Sequence, residues 1–238
     1  MQELFWKEAA KYQVLPLDAS VVARLVAPPP NITAGKKEFT YSGEEVTGIP
    51  HGDAPFLLNT SYTITAEVEI PSGGAEGMIN TNGSRFGGYG FYLVKGKPVF
   101  LWNLVGLKRV PWEGPEALPP GKHTLEFDFK YDGLGFATLA FNNFSGLGRG
   151  GTGVLKVDGK VVANQKMEHT IPFILQWDET FDIGADTGTP VEDQDYQVPF
   201  RFTGRMTKLT IKIDRPKLTP ADEKLLREEA PRNNKASE

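Results

Sequence analysis

Hydrophobic and polar residues alternate regularly in several parts of the chain. In the segment YTITAEVEI, residues 62–70, every second residue from Tyr62 is apolar, and the residues between them are Thr or Glu. The same period of two returns in HTLEFDF, residues 123–129, and in KLTIKID, residues 208–214. A period of two places the apolar side chains on one face of a β-strand, so these segments predict half-buried antiparallel strands.

Turn sequences join further apolar runs into hairpins. In GYGFYLVKGKPVFLW two runs surround Lys95 and Gly96, and in GVLKVDGKVVANQ the pair Asp158 and Gly159 suits a type I′ turn. Many short strands with no helical pattern between them predict a mostly β fold, an antiparallel two-sheet sandwich of the jelly-roll or concanavalin-like kind. Short helices are predicted at both ends, in QELFWKEAAKY and in a C-terminal segment that begins at Thr219.

Changes in composition divide the chain into three parts. The segment APPPNITAGKK, residues 27–37, is rich in proline and suits neither a helix nor a central strand, which indicates a linker. We therefore predict an N-terminal segment at residues 1–30 and a β-sandwich domain at residues 31–216. A C-terminal helix with a disordered tail is predicted at residues 217–238.

The composition excludes several classes of function. The 238 residues include no cysteine, which rules out disulfides, thiol nucleophiles and cysteine zinc sites. A formal net charge of −4 with scattered basic residues argues against nucleic acid as a partner. No apolar run is long enough to span a bilayer and no export signal is recognised, so no membrane partner is expected, and the compartment and the oligomeric state stay open.

Candidate binding residues are aromatic or basic. Aromatic residues are frequent between positions 86 and 112, and β-sandwich modules recognise sugars by laying an aromatic ring against the apolar face of a pyranose. Core packing accounts for most of these rings, but Trp112 lies between Pro111 and Gly114 and is expected to be the most exposed one. An arginine would match two oxygens of a sulfate group. The predicted ligand-binding set is Arg85, Tyr89, Trp112 and His51.

The segment FDIGADTGTPV, residues 181–191, offers a second kind of site. Asp182, Asp186 and the acidic residues that follow them would supply oxygen ligands to calcium, but their spacing matches no EF-hand. The preferred interpretation is a structural turn, in which Gly184 and Gly188 take positive φ and the two aspartates bond nearby amides. No catalytic residue and no metal ligand is predicted, and His123 is expected to be a core imidazole with its hydrogen bonds satisfied.

Several blocks of the sequence together resemble the C-terminal part of bacterial arylsulfatases. These blocks are AAKYQVLPLD, GGYGFYLVKGKPVFLWN, PPGKHTLEFDFKYDG, GTGVLKVDGKVVA and FDIGADTGTPV with DYQVPFRFTG after it. The resemblance implies the sulfatase family of the alkaline-phosphatase-like superfamily, in which residues 1–30 would close a catalytic domain that this chain lacks. The family's C/S-x-P-x-R motif, which yields formylglycine, and its calcium ligands would lie in that domain, so no cofactor is expected here.

The resemblance implies a non-catalytic accessory domain that packs on the sulfatase catalytic domain, stabilises it and frames substrate access. A third interpretation of residues 181–191 is that this loop reaches towards the catalytic domain and helps to frame its pocket, and whether residues 181–195 bind an ion stays open. Leu4, Phe5 and Trp6 are then predicted to contact that domain, because a short isolated helix is marginal in water. Alone, the chain is expected not to hydrolyse sulfate esters. The alternative function is a lectin-like carbohydrate-binding module for neutral or sulfated glycans.

Overall fold

A computed structural model describes residues 2–12, 14, 33, 35–133, 149–171, 179–215, 217, 219–221 and 224. Contacts divide the chain into two compact units, Met1–Pro30 and Asn31–Glu238. The first unit contains helix α1, Gln2–Lys11. The helix predicted to begin at Thr219 falls mostly outside the described residues. Among the helices that the structure describes, none is long and apolar enough to cross a membrane.

The second unit is built from β-strands. In chain order the strands are β1 Glu38–Tyr41, β2 Val46–Ile49, β3 Ser61–Ile70, β4 Gly77–Ser84, β5 Gly87–Val94, β6 Lys97–Leu104, β7 Lys108–Glu113, β8 Gly121–Tyr131, β9 Gly151–Val157, β10 Lys160–Met167, β11 Phe181–Ile183, β12 Ala185–Asp186, β13 Phe200–Arg201 and β14 Arg205–Asp214. A short 3₁₀ helix, His51–Asp53, follows β2.

These strands form two sheets. Sheet A has the order β1-β14-β3-β8-β9-β10, and all its neighbours are antiparallel. Sheet B has the order β12-β13-β4-β5-β6-β7, with β11 paired to β4 and β2 paired to β11. Its pairs are antiparallel except that of β13 with β4. The predicted mostly β, two-sheet sandwich is therefore confirmed.

The main core lies between the two sheets and follows from the alternation in the sequence. Ile64 in β3 pairs with Phe127 in β8 and with Ile211 in β14, and all three side chains are fully buried. Phe100 of sheet B stacks on Phe127 of sheet A with ring centroids 3.5 Å apart. The residues between these positions in sheet A, such as Thr63, face solvent, which is why its strands read as a strict alternation.

A tryptophan fixes the distance between the sheets at one point. Trp112 in β7 donates its indole N–H to the backbone oxygen of Gly153 in β9, at 2.8 Å. Its ring packs edge-on against that of Phe127, with the ring centroids 5.0 Å apart. A Cβ on Gly153 would lie 2.6 Å from the Trp112 ring, which is far inside van der Waals contact. The glycine is therefore needed for the close approach of β7 to β9.

Sheet B is buried on its outer face as well. We call the irregular segment at residues 187–199, between β12 and β13, the strap. Val191 and Tyr196 of the strap pack on Met78, Tyr92 and Leu101, which point away from the main core and form a second apolar cluster. Burial on both faces explains why β4, β5 and β6 read as nearly continuous buried runs.

The turn after β9 contacts His123, the histidine of β8 that was predicted to be a core residue. Asp158 and Gly159 have φ values of 51° and 77°, which confirms the predicted type I′ turn. The Nδ1 atom of His123 lies 2.8 Å from Asp158 Oδ2, and Nε2 lies 2.9 Å from the backbone oxygen of Pro119. The imidazole is thus mostly enclosed and fully hydrogen-bonded, as expected for a structural residue.

Candidate functional site

A cleft opens between β1 and β2, where the two sheets part at one edge of the sandwich. It has a volume of about 570 Å³. This volume lies in the range of about 300–1,000 Å³ that is typical of small-molecule sites. Its lining residues are Thr33, Lys36, Glu38, Phe39, Thr40, Tyr41, Gly48, Ile49, Pro50 and Asp53.

The walls of the cleft are positioned by the core. In β1, Phe39 is 8% exposed and belongs to the main core. Tyr41 is only partly buried, and the centroid of its ring lies 5.7 Å from that of Phe181. The opposite wall is held by Asp182, whose Oδ1 accepts a hydrogen bond from the Gly48 amide at 2.8 Å. The floor is therefore fixed by side chains that the sandwich itself buries.

Three polar groups of the cleft are not committed to other parts of the described chain. Among the described residues, the Tyr41 hydroxyl, the Lys36 ammonium and the Asp53 carboxylate make no side-chain hydrogen bond or ion pair. Burial raises the pKa of Tyr41 to about 12, so its hydroxyl is protonated at neutral pH and can donate a hydrogen bond. The cleft thus combines an aromatic ring, a donor and an acceptor that are all available to a ligand.

His51 is the one sequence-predicted ligand residue that lies beside this cleft. It sits in the 3₁₀ helix between two lining residues, Pro50 and Asp53. Its side chain reaches the surface, and partial desolvation lowers its pKa from the ordinary value. The imidazole is therefore mainly neutral at pH 7 and could donate or accept one hydrogen bond at the rim.

The structure separates the other three predicted residues from His51. Tyr89 is 0% exposed and Trp112 is 1% exposed, so the expectation that Trp112 is the exposed ring is wrong. The Tyr89 hydroxyl donates to Asn80 Oδ1 at 2.9 Å inside the core. Tyr89 pairs with Trp102, and Trp102 pairs with Val110, so these three residues share the inner face of sheet B. Trp112 lies two residues after Val110 in β7, and its ring therefore points to the same face.

Arg85 is on the surface, but its guanidinium is occupied. Its Nη2 and Nε atoms lie 2.5 and 3.2 Å from the two carboxylate oxygens of Asp193 in the strap. This fork geometry is the arrangement that would otherwise bind a sulfate. Arg85, Tyr89, Trp112 and His51 therefore do not converge on one surface in this structure.

The carboxylates of residues 181–191 are likewise committed to the protein. Asp182 accepts hydrogen bonds from Gly48 and from the Thr180 hydroxyl, the latter at 2.7 Å. Asp186 accepts from the Gly188 amide at 3.2 Å and from the Tyr196 hydroxyl at 2.6 Å. Within the described residues, no group of three or more His, Asp or Glu has the arrangement of a metal site. These bonds support the structural-turn interpretation.

The glycines of that turn differ from each other. Gly184 has φ 76°, as predicted, whereas Gly188 lies outside the left-handed region. A Cβ on Gly188 would instead meet the carboxylate of Glu179, which would have to shift to make room for it. Glu179 Oε1 in turn accepts hydrogen bonds from the amide and the hydroxyl of Thr189, both at 2.8 Å.

Comparison with known proteins gives structural neighbours only. No family model matches the chain, and no curated protein matches it. The CBM40 of a Ruminococcus gnavus IT-sialidase, bound to α2,3-sialyllactose, is 16% identical over 80% of this chain and 97% of its own, with a TM-score of 0.46. Domains LG4-5 of the mouse laminin α1 chain are 13% identical over 77% of this chain and 40% of theirs, with a TM-score of 0.41. The binding domain of botulinum neurotoxin serotype D is 13% identical over 81% and 42%, with a TM-score of 0.38.

These findings correct the assignment made from the sequence. The prediction of an arylsulfatase C-terminal domain is wrong, since no family model matches and the similar structures are a sialidase carbohydrate-binding module, laminin LG domains and toxin binding domains. The prediction that a sulfatase catalytic domain is the partner is therefore unsupported as well. Leu4, Phe5 and Trp6, predicted to contact that partner, are 61, 46 and 53% exposed and are left without an assigned role.

Proposed function

We propose that this chain is a carbohydrate-binding module that holds a sugar in the cleft between β1 and β2. The observation that carries the proposal is the set of uncommitted polar groups around one accessible tyrosine in a cleft of about 570 Å³. Sugars present both an apolar ring face and many hydroxyl groups. A half-buried aromatic ring with free donors and acceptors beside it is suited to both.

Each group has a distinct role in this proposal. The Tyr41 ring, fixed against Phe181, offers a face to the apolar side of a pyranose, and its hydroxyl donates a hydrogen bond. Asp53 accepts bonds from one or two sugar hydroxyls, and Lys36 donates to another. Charge-assisted hydrogen bonds of this kind are about twice as strong as neutral ones.

The charges of the cleft favour an uncharged sugar. Among the lining residues that the structure describes, Lys36 is the one cation, and Asp53 and Glu38 are the acids. Glu38 is partly neutralised across the sheet by Lys212, whose Nζ lies 3.9 Å from its carboxylate. A strongly anionic ligand would meet two carboxylates and a single ammonium group. We therefore place neutral saccharides ahead of sulfated ones.

A glycan array followed by calorimetry tests the proposal. The purified chain is applied to neutral, sialylated and sulfated glycans, and the affinity of the best neutral ligand is measured. Tyr41→Ala is expected to weaken binding at least tenfold, because one aromatic platform and one hydrogen bond are lost. Tyr41→Phe keeps the ring and removes only the hydroxyl, so a smaller loss of about two- to tenfold is expected.

Phe86→Ala is the matched control, because Phe86 is an exposed aromatic residue, 53% accessible, that does not line the cleft. It should bind as the wild type does. Circular dichroism of each variant checks that the sandwich is intact. Absence of binding to every glycan, or equal affinity of Tyr41→Ala and the wild type, would show that the cleft is not a sugar site.

A further inference from the structure

The strap is fastened to sheet B by side chains at several points along its length. Arg109 donates from Nε to the Val191 backbone oxygen at 3.2 Å and lies 3.2 Å from the Glu192 carboxylate. The Tyr92 hydroxyl donates to Asp195 at 2.5 Å. The strap therefore covers the outer face of sheet B through a defined set of polar contacts, in addition to its apolar packing.

The base of the strap depends on one buried carboxylate. Asp186 is 1% exposed and directly precedes the strap. Its Oδ2 accepts the hydroxyl proton of Tyr196, at 2.6 Å, and that same hydroxyl oxygen accepts the Val191 amide at 2.9 Å. Asp186, Tyr196 and Val191 thus form one chain of hydrogen bonds that ties both halves of the strap to β12.

The charges around Asp186 oppose its ionised form. Burial is the main cause that raises its pKa, to about 6, and the neighbouring carboxylates of Glu179 and Asp182 raise it further, while the Tyr196 and Gly188 hydrogen bonds partly offset this. The acidic neighbours Glu179 and Asp182 therefore both oppose the ionised form of Asp186. Ionisation of Asp186 is therefore unfavourable while the strap is closed.

We propose that the strap is a pH-responsive cover, closed most firmly when Asp186 is protonated and released more readily when it is ionised. A carboxyl with a raised pKa in the closed state stabilises that state at low pH and loses this contribution as the pH rises through its pKa. Opening would uncover Tyr92 and Leu101 and would free Arg85 and Arg109 from their acidic partners. The outer face of sheet B then becomes an apolar surface flanked by cations.

Hydrogen exchange of the strap amides tests this proposal on the intact chain. If the pKa of Asp186 falls from about 6 to its ordinary 3.8 on opening, the opening equilibrium is about tenfold more favourable at pH 7.5 than at pH 5. Protection factors of the amides at residues 188–189 and 191–196, corrected for the intrinsic exchange rate, should fall by that factor. Equal protection at both pH values in the wild type would overturn the proposal.

Variants identify the responsible group. Asp186→Asn keeps the size of the side chain and removes the charge, so the pH dependence of strap protection should shrink from about tenfold to less than twofold. Asp193→Asn is the matched control, because it removes the charge of an exposed strap carboxylate that pairs with Arg85, and the tenfold dependence should remain. A tenfold dependence that persists in Asp186→Asn refutes the assignment. If that variant does not fold, Glu179→Gln must reduce the dependence, and an unchanged dependence refutes it equally.

Discussion

The contact between Trp112 and Gly153 makes Gly153→Ala a severe test of how the sheets pack. The added methyl group would lie 2.6 Å from the Trp112 ring and 2.8 Å from the Phe127 ring, both of which are buried. Overpacking of this kind costs about 1–3 kcal/mol. Displacing Trp112 also breaks its 2.8 Å hydrogen bond to the Gly153 oxygen, which adds about 1 kcal/mol. We expect a total loss of about 2–4 kcal/mol in the free energy of unfolding.

Equilibrium urea unfolding followed by tryptophan fluorescence measures this loss. At about 2–4 °C per kcal/mol for a protein of this size, the melting temperature should fall by roughly 5–15 °C. Gly73→Ala is the control, because Gly73 has an ordinary φ and nothing lies within 4 Å of the new Cβ. That variant should match the wild type within about 0.5 kcal/mol. A similarly small effect of Gly153→Ala would mean that β7 and β9 lie further apart than this contact requires.

Two further predictions concern residues outside the cleft. Although burial acts to raise it, the pKa of Asp158 is lowered by the Thr124 amide and by His123. Asp158→Asn should therefore lower stability at pH 7 by less than about 1 kcal/mol, since about half of the side chain is exposed. In urea titrations the difference should shrink as the pH falls below the ordinary pKa of 3.8 and through the lowered pKa of the folded state. Tyr89→Phe removes the buried hydrogen bond to Asn80 and should cost about 1–2 kcal/mol in the same assay. Its glycan affinity, measured by calorimetry, should be unchanged, and a loss would return Tyr89 to the binding site.

The sheet architecture could be predicted because its signals are local. Alternation in residues 62–70 and 208–214 marks β3 and β14, and these strands pair along nearly their whole length. The Asp158-Gly159 turn is encoded by two adjacent residues that tolerate positive φ. Both signals depend on neighbours in sequence, so one chain is sufficient to find them.

The position of Trp112 could not be predicted from its immediate neighbours. Pro111 and Gly114 suggest a loop, but β7 is an edge strand of sheet B. An edge strand tolerates proline at positions whose backbone N–H would face away from the neighbouring strand, because no ladder hydrogen bond is lost there. The ring then turns inward onto Phe127 and Gly153, which lie in other strands. Whether Trp112 is exposed or buried therefore depends on contacts with residues that are distant in the sequence.

The cleft was missed for the same physical reason. Its walls are β1, which pairs with β14, and β2, which pairs with β11, so strands far apart in the sequence bring them together. The residues Phe39 and Tyr41 alternate inward and could have identified β1, but nothing in EFTY indicates that a second edge strand faces it. His51, which lies beside the cleft, stands out in the sequence because a histidine near an aspartate in a short loop is a local signal, and its role in binding stays a prediction.

Because sheet B is covered on both faces, the two sheets differ in how they tolerate chemical labelling. Outward positions of β3 such as Thr63 and Thr65 are partly exposed, and a dye or a surface-immobilisation tag there would displace water and polar contacts such as the hydrogen bond of Thr63 to Asp128. Residues of β5 offer no comparable attachment point before the turn at Lys95, since each side chain there meets either the main core or the cluster under the strap. A sensor made from this scaffold should therefore be tethered through sheet A.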